Sequence, residues 1–130
     1  MPFSKKIVLD TNFLLIPGQL RVDIFEEIQR ISDFNYELFI FEKTEKELEN
    51  ILKNGNLKDK TAAKIAKSLI KIKKISVLKG NNNLYVDEQI VEFAEKNQDV
   101  IIATQDLGLK KKLKNAKLIV LKNKTHLGFA

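Results

Sequence analysis

The chain has 130 residues, enough for one domain spanning 1–130 that buries most of its apolar surface without staples. Its 44% apolar and 31% charged content fits a soluble globular protein, and the absence of cysteine excludes disulfides and thiolate metal sites. The net charge is +6, no window approaches the roughly 18 apolar residues of a membrane span, and no apolar leader precedes Asp10, so a cytoplasmic protein is expected.

Ile7-Val8-Leu9 is a continuous apolar run of the kind that forms a strand buried on both faces. It ends in Asp10-Thr11-Asn12, which puts an acid at the carboxyl edge of a parallel sheet, where open α/β folds hold their ligands. The alternative is that Asp10 caps the next turn with its side chain. Phe13 to Ile16 extends the apolar run to a Pro17-Gly18 turn. Val22, Phe25, Ile28 and Ile31 then recur at helical spacing, with Asp23 in the first turn as a dipole partner. Tyr36 to Phe41 reads as a second strand. Thr44-Glu45-Lys46-Glu47 matches a capping box opening a helix over Leu48, Ile51 and Leu52, which Asn54-Gly55-Asn56 stops.

A long amphipathic helix follows from about Lys58 to Lys74, with Ala62, Ile65, Ala66, Leu69 and Ile72 as its apolar set. Lys60, Lys64, Lys67, Lys71 and Lys74 step by four and three, forming a cationic stripe. Residues 75–78 make a short third strand. Asp87 and Glu88 open a helix carrying Ile90, Val91 and Ala94 inward. Val100 to Thr104 is a fourth strand, stopping at a second acid, Asp106. A short helix with Leu107, Leu109 and Leu113 carries Lys110, Lys111, Lys112 and Lys114, and residues 118–121 form the last strand. The tail beyond shows no pattern. Strands alternating with helices predict a three-layer α/β/α fold around a central, mainly parallel sheet of four to five strands.

Charge is unevenly spread. Residues 1–50 carry a net of −4, residues 51–80 a net of +8 and residues 81–130 a net of +2. Acids on a basic body suit a polyanion held electrostatically while carboxylates hold metals, although a lysine-rich face also serves plain solvation. Asp10, Glu47, Asp87 and Asp106 are the acids that such a fold can gather. Spacing alone leaves Glu45, Glu47 and Glu49 open as the inward acid of their helix. Two carboxylates about 5 Å apart repel by roughly 3 kcal/mol at an effective dielectric near 20. A cluster of four therefore takes up protons or divalent cations. With one histidine and no cysteine the ligands are hard oxygens, which favour Mg²⁺ or Mn²⁺ over zinc.

The segments Ile7 to Asn12, Glu47-Leu48, Asp87 to Ile90 and Ala103 to Asp106 resemble the four acidic motifs of PIN-domain ribonucleases, in family order and across nearly the whole chain. The likeness is to the archaeal branch related to VapC toxins and to the PIN proteins of eukaryotic ribosome biogenesis. It implies Mg²⁺- or Mn²⁺-dependent endonucleolytic hydrolysis of single-stranded RNA, by a toxin or an RNA-processing nuclease. It also implies metal binding by Asp10, Glu47, Asp87 and Asp106, with Asn12 and Thr104 orienting the carboxylates or a metal-bound water. A protein antitoxin and a homodimer are further expectations. Lys64, Lys67, Lys71, Lys110 and Lys111 are the candidates for contact with RNA.

One departure from the family pattern is Gly108, where many relatives carry a further acid. It favours the alternative of a catalytically inactive RNA-binding scaffold. A third possibility is a phospho-acceptor domain with Asp10 as nucleophile. Glu88 reads as a dipole partner and His126 as a surface or packing residue. The scattered aromatic residues offer no base-stacking platform.

Overall fold

The computed structural model describes residues 4–130; residues 1–3, part of the segment before Asp10 considered above, lie outside it. The first apolar run forms β1 (Ser4–Leu9), whose side chains alternate between two cores. Ile7 and Leu9 enter one, Val8 the other. β2 (Asn35–Phe41), β3 (Ser76–Leu78), β4 (Val100–Ala103) and β5 (Lys117–Lys122) extend the sheet in parallel. β6 (His126–Phe129) adds antiparallel to β5, giving the order β3-β2-β1-β4-β5-β6. Among the described residues the expected four to five strands are therefore six. The sixth escaped because four residues, one of them Gly128, are too few to display alternation.

Five helices cover one face: α1 (Thr11–Leu14), α2 (Ile16–Leu20), α3 (Ile24–Ile31), α4 (Glu42–Asn54) and α5 (Leu57–Ile72). α6 (Val86–Lys96) and α7 (Leu107–Lys112) cover the other through Val86, Ile90 and Leu109. Among the described residues no helix is long and apolar enough to cross a membrane.

Three local expectations are corrected. Pro17-Gly18 is not a turn but lies inside α2. Proline is tolerated in the first turn, where its missing N–H costs no intrahelical bond. Gly18 is required because a Cβ there would lie 2.5 Å from the Ala62 Cα of α5. Thr44 does not cap a helix: α4 already begins at Glu42, and Thr44 is buried with its hydroxyl 3.0 Å from that of Thr11. On α5, Ala62, Ala63, Ala66 and Ile70 are buried, whereas Ile65 and Ile72 are 39% and 69% exposed. Small alanines fit the close approach to α2 and α4, and this rotates the buried face away from the larger residues.

The α3 edge of the molecule also closes the sheet. The Leu127 N–H donates to Glu27 Oε1 (2.9 Å) and its carbonyl accepts from Arg30 Nη2 (3.0 Å). Glu27 and Arg30 pair with each other at 2.8 Å. At the centre of the sheet β1 and β4 are neighbours, with β2 and β3 built outward one way and β5 and β6 the other. The strand order reverses between β1 and β4. A crevice opens at their carboxyl ends, as it does in open α/β sheets generally.

Candidate active site

Asp10 follows directly on β1 and Thr104 on β4. The ladder between these strands ends with the Asp10 N–H on the Ala103 carbonyl (3.0 Å), so the two residues stand side by side at the crevice. The Thr104 hydroxyl donates to Asp10 Oδ2 (2.9 Å) and accepts from the Asp106 N–H (3.0 Å). One buried threonine thus joins both strand-terminal acids. Asp10 Oδ1 takes the Thr11 N–H (2.8 Å), so the capping alternative is also realised, with the other oxygen.

Asp10 is buried, and its pKa is raised. Burial is the largest cause; the bonds from Thr104 and Thr11 oppose it, and the charges of Asp106 and Glu47 add to it. Among the described residues no lysine or arginine forms an ion pair with Asp10, Glu47 or Asp106.

Helix α4 crosses the crevice and presents Glu47. Of the three glutamates left open by spacing, Glu47 lines the cavity, while Glu49 pairs with Lys67 of α5. The Thr11 hydroxyl donates to Glu47 Oε1 and lies beside Thr44. Thr11 has one proton and the carboxylate is the stronger acceptor, so Thr44 donates to Thr11 in turn. Asp87 comes from the first turn of α6 and pairs with Lys112 Nζ at 3.5 Å. Glu88 beside it accepts from the Tyr85 N–H (2.9 Å), a capping role. Asp106 caps α7: its Oδ1 accepts from the Gly108 N–H (2.8 Å) and the Leu109 N–H (3.1 Å).

All four acids, together with Asn12, line one cavity of about 580 Å³. A larger cavity of about 880 Å³ lies at the amino ends of β4 and β5, beneath the C-terminal end of α6. Its lysines, amides and two acids, Glu95 and Asp99, are at the sheet edge where α/β folds do not place ligands.

The candidate RNA-binding lysines lie outside the lining of the acid cavity, although the Lys110 N–H donates to the Asp106 carbonyl (3.0 Å) in the first turn of α7. Lys64, Lys67, Lys71, Lys110 and Lys111 line neither cavity. The cations of the acid-lined cavity are Lys43 and Lys46, which helical periodicity gave no reason to select. The one available signal was their position, four residues and one residue before Glu47.

The donor set suits a hard divalent cation in kind, because every candidate ligand is an oxygen and the acids raise one another's energy. The ligands are not drawn together: among the described residues no three carboxylate or imidazole groups converge closely enough to hold an ion. Glu47 is turned onto Thr11, Asp87 onto Lys112, and one Asp106 oxygen onto its own helix. Each of these is a side-chain bond that rotation releases, and Asp106 Oδ2 stands outside the capping bonds.

Known proteins resemble this chain in sequence and in fold. The family described as a PIN-like domain matches residues 7–125. Over 123 residues the chain is 36% identical to Ribonuclease VapC4 of Methanocaldococcus jannaschii, covering 93% of this chain and 93% of that protein. The structure of the PIN domain endonuclease Utp24 covers 95% of this chain and 90% of its own, with a TM-score of 0.76 at 20% identity, a likeness of fold. With a family match across nearly its whole length and a relative at this identity, the chain belongs to the PIN-like domain family.

Proposed function

We propose that the chain is an endoribonuclease that hydrolyses phosphodiester bonds of single-stranded RNA, with Mg²⁺ or Mn²⁺ held by Asp10, Glu47, Asp87 and Asp106. The observation that carries this reading is the buried Asp10, facing Glu47 and Asp106 without a compensating lysine or arginine among the described residues. The identity to a protein named as a ribonuclease supports RNA as the substrate. A divalent ion bound there would activate the attacking water and stabilise the leaving oxygen. Thr104 fixes Asp10 and Asp106 relative to each other, and Thr11 restrains Glu47. Asn12, exposed at the lip, offers an amide to water or phosphate. The VapC in that relative's name favours a toxin role with a protein antitoxin as partner, and a cytoplasmic location and a homodimer remain part of the proposal without support from that name.

Asp10→Asn should abolish Mn²⁺-stimulated cleavage of single-stranded RNA while leaving the circular dichroism spectrum unchanged, and chelator should silence the parent chain equally. Undiminished cleavage by Asp10→Asn would remove the mechanism. The separation of the acids and the lack of a carboxylate at Gly108 favour one other reading, an RNA-binding scaffold without catalysis. Melting with increasing Mn²⁺ separates the two: a rising Tm indicates a working ion site, and no change at millimolar ion indicates the scaffold.

A further inference from the structure

One lysine of the acid-lined cavity is used in an unexpected way. Lys43 shares that cavity with four carboxylates and pairs with none of them. Its Nζ instead donates to the carbonyls of Leu84 (2.6 Å) and Asn82 (3.3 Å) and lies 5.5 Å from the centre of the Tyr85 ring. It therefore straps α4 to the loop before α6 and braces one face of that ring. The Tyr85 main chain is fixed as well, through its N–H on Glu88 and through Val86, buried next to it. Yet the residue is 74% exposed and lines the cavity that holds Asp10 and Asp87. Single exposed aromatic residues are common on surfaces. A ring backed by an ammonium, anchored at its main chain and set, largely exposed, at the rim of an acid-lined crevice is a surface on which a flat ligand can be laid.

We infer that Tyr85 is a base-stacking residue, which receives one unpaired base of a single-stranded RNA beside the acid cluster while Lys43 holds its ring in place. The inference rests on the proposed ribonuclease function for the class of ligand alone, since stacking needs no hydrolysis. Stacking on an aromatic ring tolerates any base, so Tyr85 sets the position of the strand rather than its sequence. With Ile51 and Val86 it adds apolar contact to a cavity that also holds four acids.

The test is equilibrium binding of a short single-stranded oligoribonucleotide to the full chain in chelator, so that no cleavage intervenes. Tyr85→Ala should bind about five- to a hundredfold more weakly than the parent, and Tyr85→Phe close to it. An abasic residue walked along the oligonucleotide should weaken the parent at one position and have no further effect there on Tyr85→Ala. The chain has no tryptophan and two tyrosines, so in Tyr36→Phe the emission of Tyr85 stands alone and should be quenched by the oligonucleotide. Equal binding by Tyr85→Ala and the parent, or an abasic effect that is the same in both, overturns the inference. If the parent cleaves RNA with Mn²⁺ and Tyr85→Ala binds normally, the stacking role alone falls. If binding depends on Tyr85 but no ion supports cleavage, the ribonuclease reading alone falls. No RNA binding by the parent in chelator overturns the stacking role, and the absence of Mn²⁺-supported cleavage as well overturns both.

Discussion

Asp10 is held at a cost to the fold, visible in its raised pKa, with burial as the first cause. A folded-state pKa above the unfolded one favours folding fully below the ordinary aspartate value of 3.8, and that advantage is lost as pH rises through the folded value. At pH 7 in chelator, Asp10→Asn should therefore melt higher than the parent, and the difference should vanish as the pH is taken below 3.8. Calorimetry across that range measures it; a parent chain that melts as high as the variant at pH 7 would show that Asp10 is not strained. A variant that is inactive yet more stable is the usual sign of a residue kept for function. Residues such as Asp10 and Asp106 were legible in the sequence because each ends an apolar strand. Glu47 could not be told from Glu45 and Glu49 by spacing, and Lys43, Lys46 and Tyr85 were invisible. The direction of a long side chain is decided by how α4 and α6 cross the crevice, which periodicity does not encode.

Elements were legible in proportion to the strength of their apolar signal. β1 and β4, continuous runs of branched residues, stood out. α5 was recognisable as a helix, but its buried face was displaced because alanine contributes little hydrophobic signal where helices approach closely. That closeness makes Gly18 a sensitive position. Glycine to alanine inside a helix ordinarily stabilises by about 1 kcal/mol. Here the new methyl would meet the Ala62 backbone, which cannot rotate aside. Overpacking of this kind costs about 1–3 kcal/mol and outweighs the propensity gain. Gly18→Ala should lower the urea midpoint with little change in slope; an unchanged or higher midpoint would mean that α2 moves freely away from α5. The Pro17-Gly18 pair misled as a turn signal because its glycine serves packing between helices, not a change of chain direction.

For the molecule as a whole, charge is divided between a cavity of acids and a body of lysines. Residues 51–80 carry a net of +8, mostly on α5 and just beyond it, yet none of the α5 stripe lines the acid-lined cavity. Lys67 is already engaged with Glu49, which leaves Lys64 and Lys71 as the better candidates for long-range attraction. Replacing both with alanine should leave turnover of a short, saturating oligonucleotide unchanged. It should also flatten the salt dependence of binding to long single-stranded RNA, by about 0.7 in the logarithmic slope per lysine removed. An unaltered slope would assign the stripe to solvation. The sheet's outer borders set a different limit. Glu27 and Arg30 occupy the main-chain groups that Leu127 turns outward, and β3, at the far border, is only three residues long. Both borders are poor templates for the addition of a foreign strand, one by its brevity and the other by the capture of Leu127. A protein that docks on this chain therefore finds more purchase on its helices and side chains than on its backbone ladder.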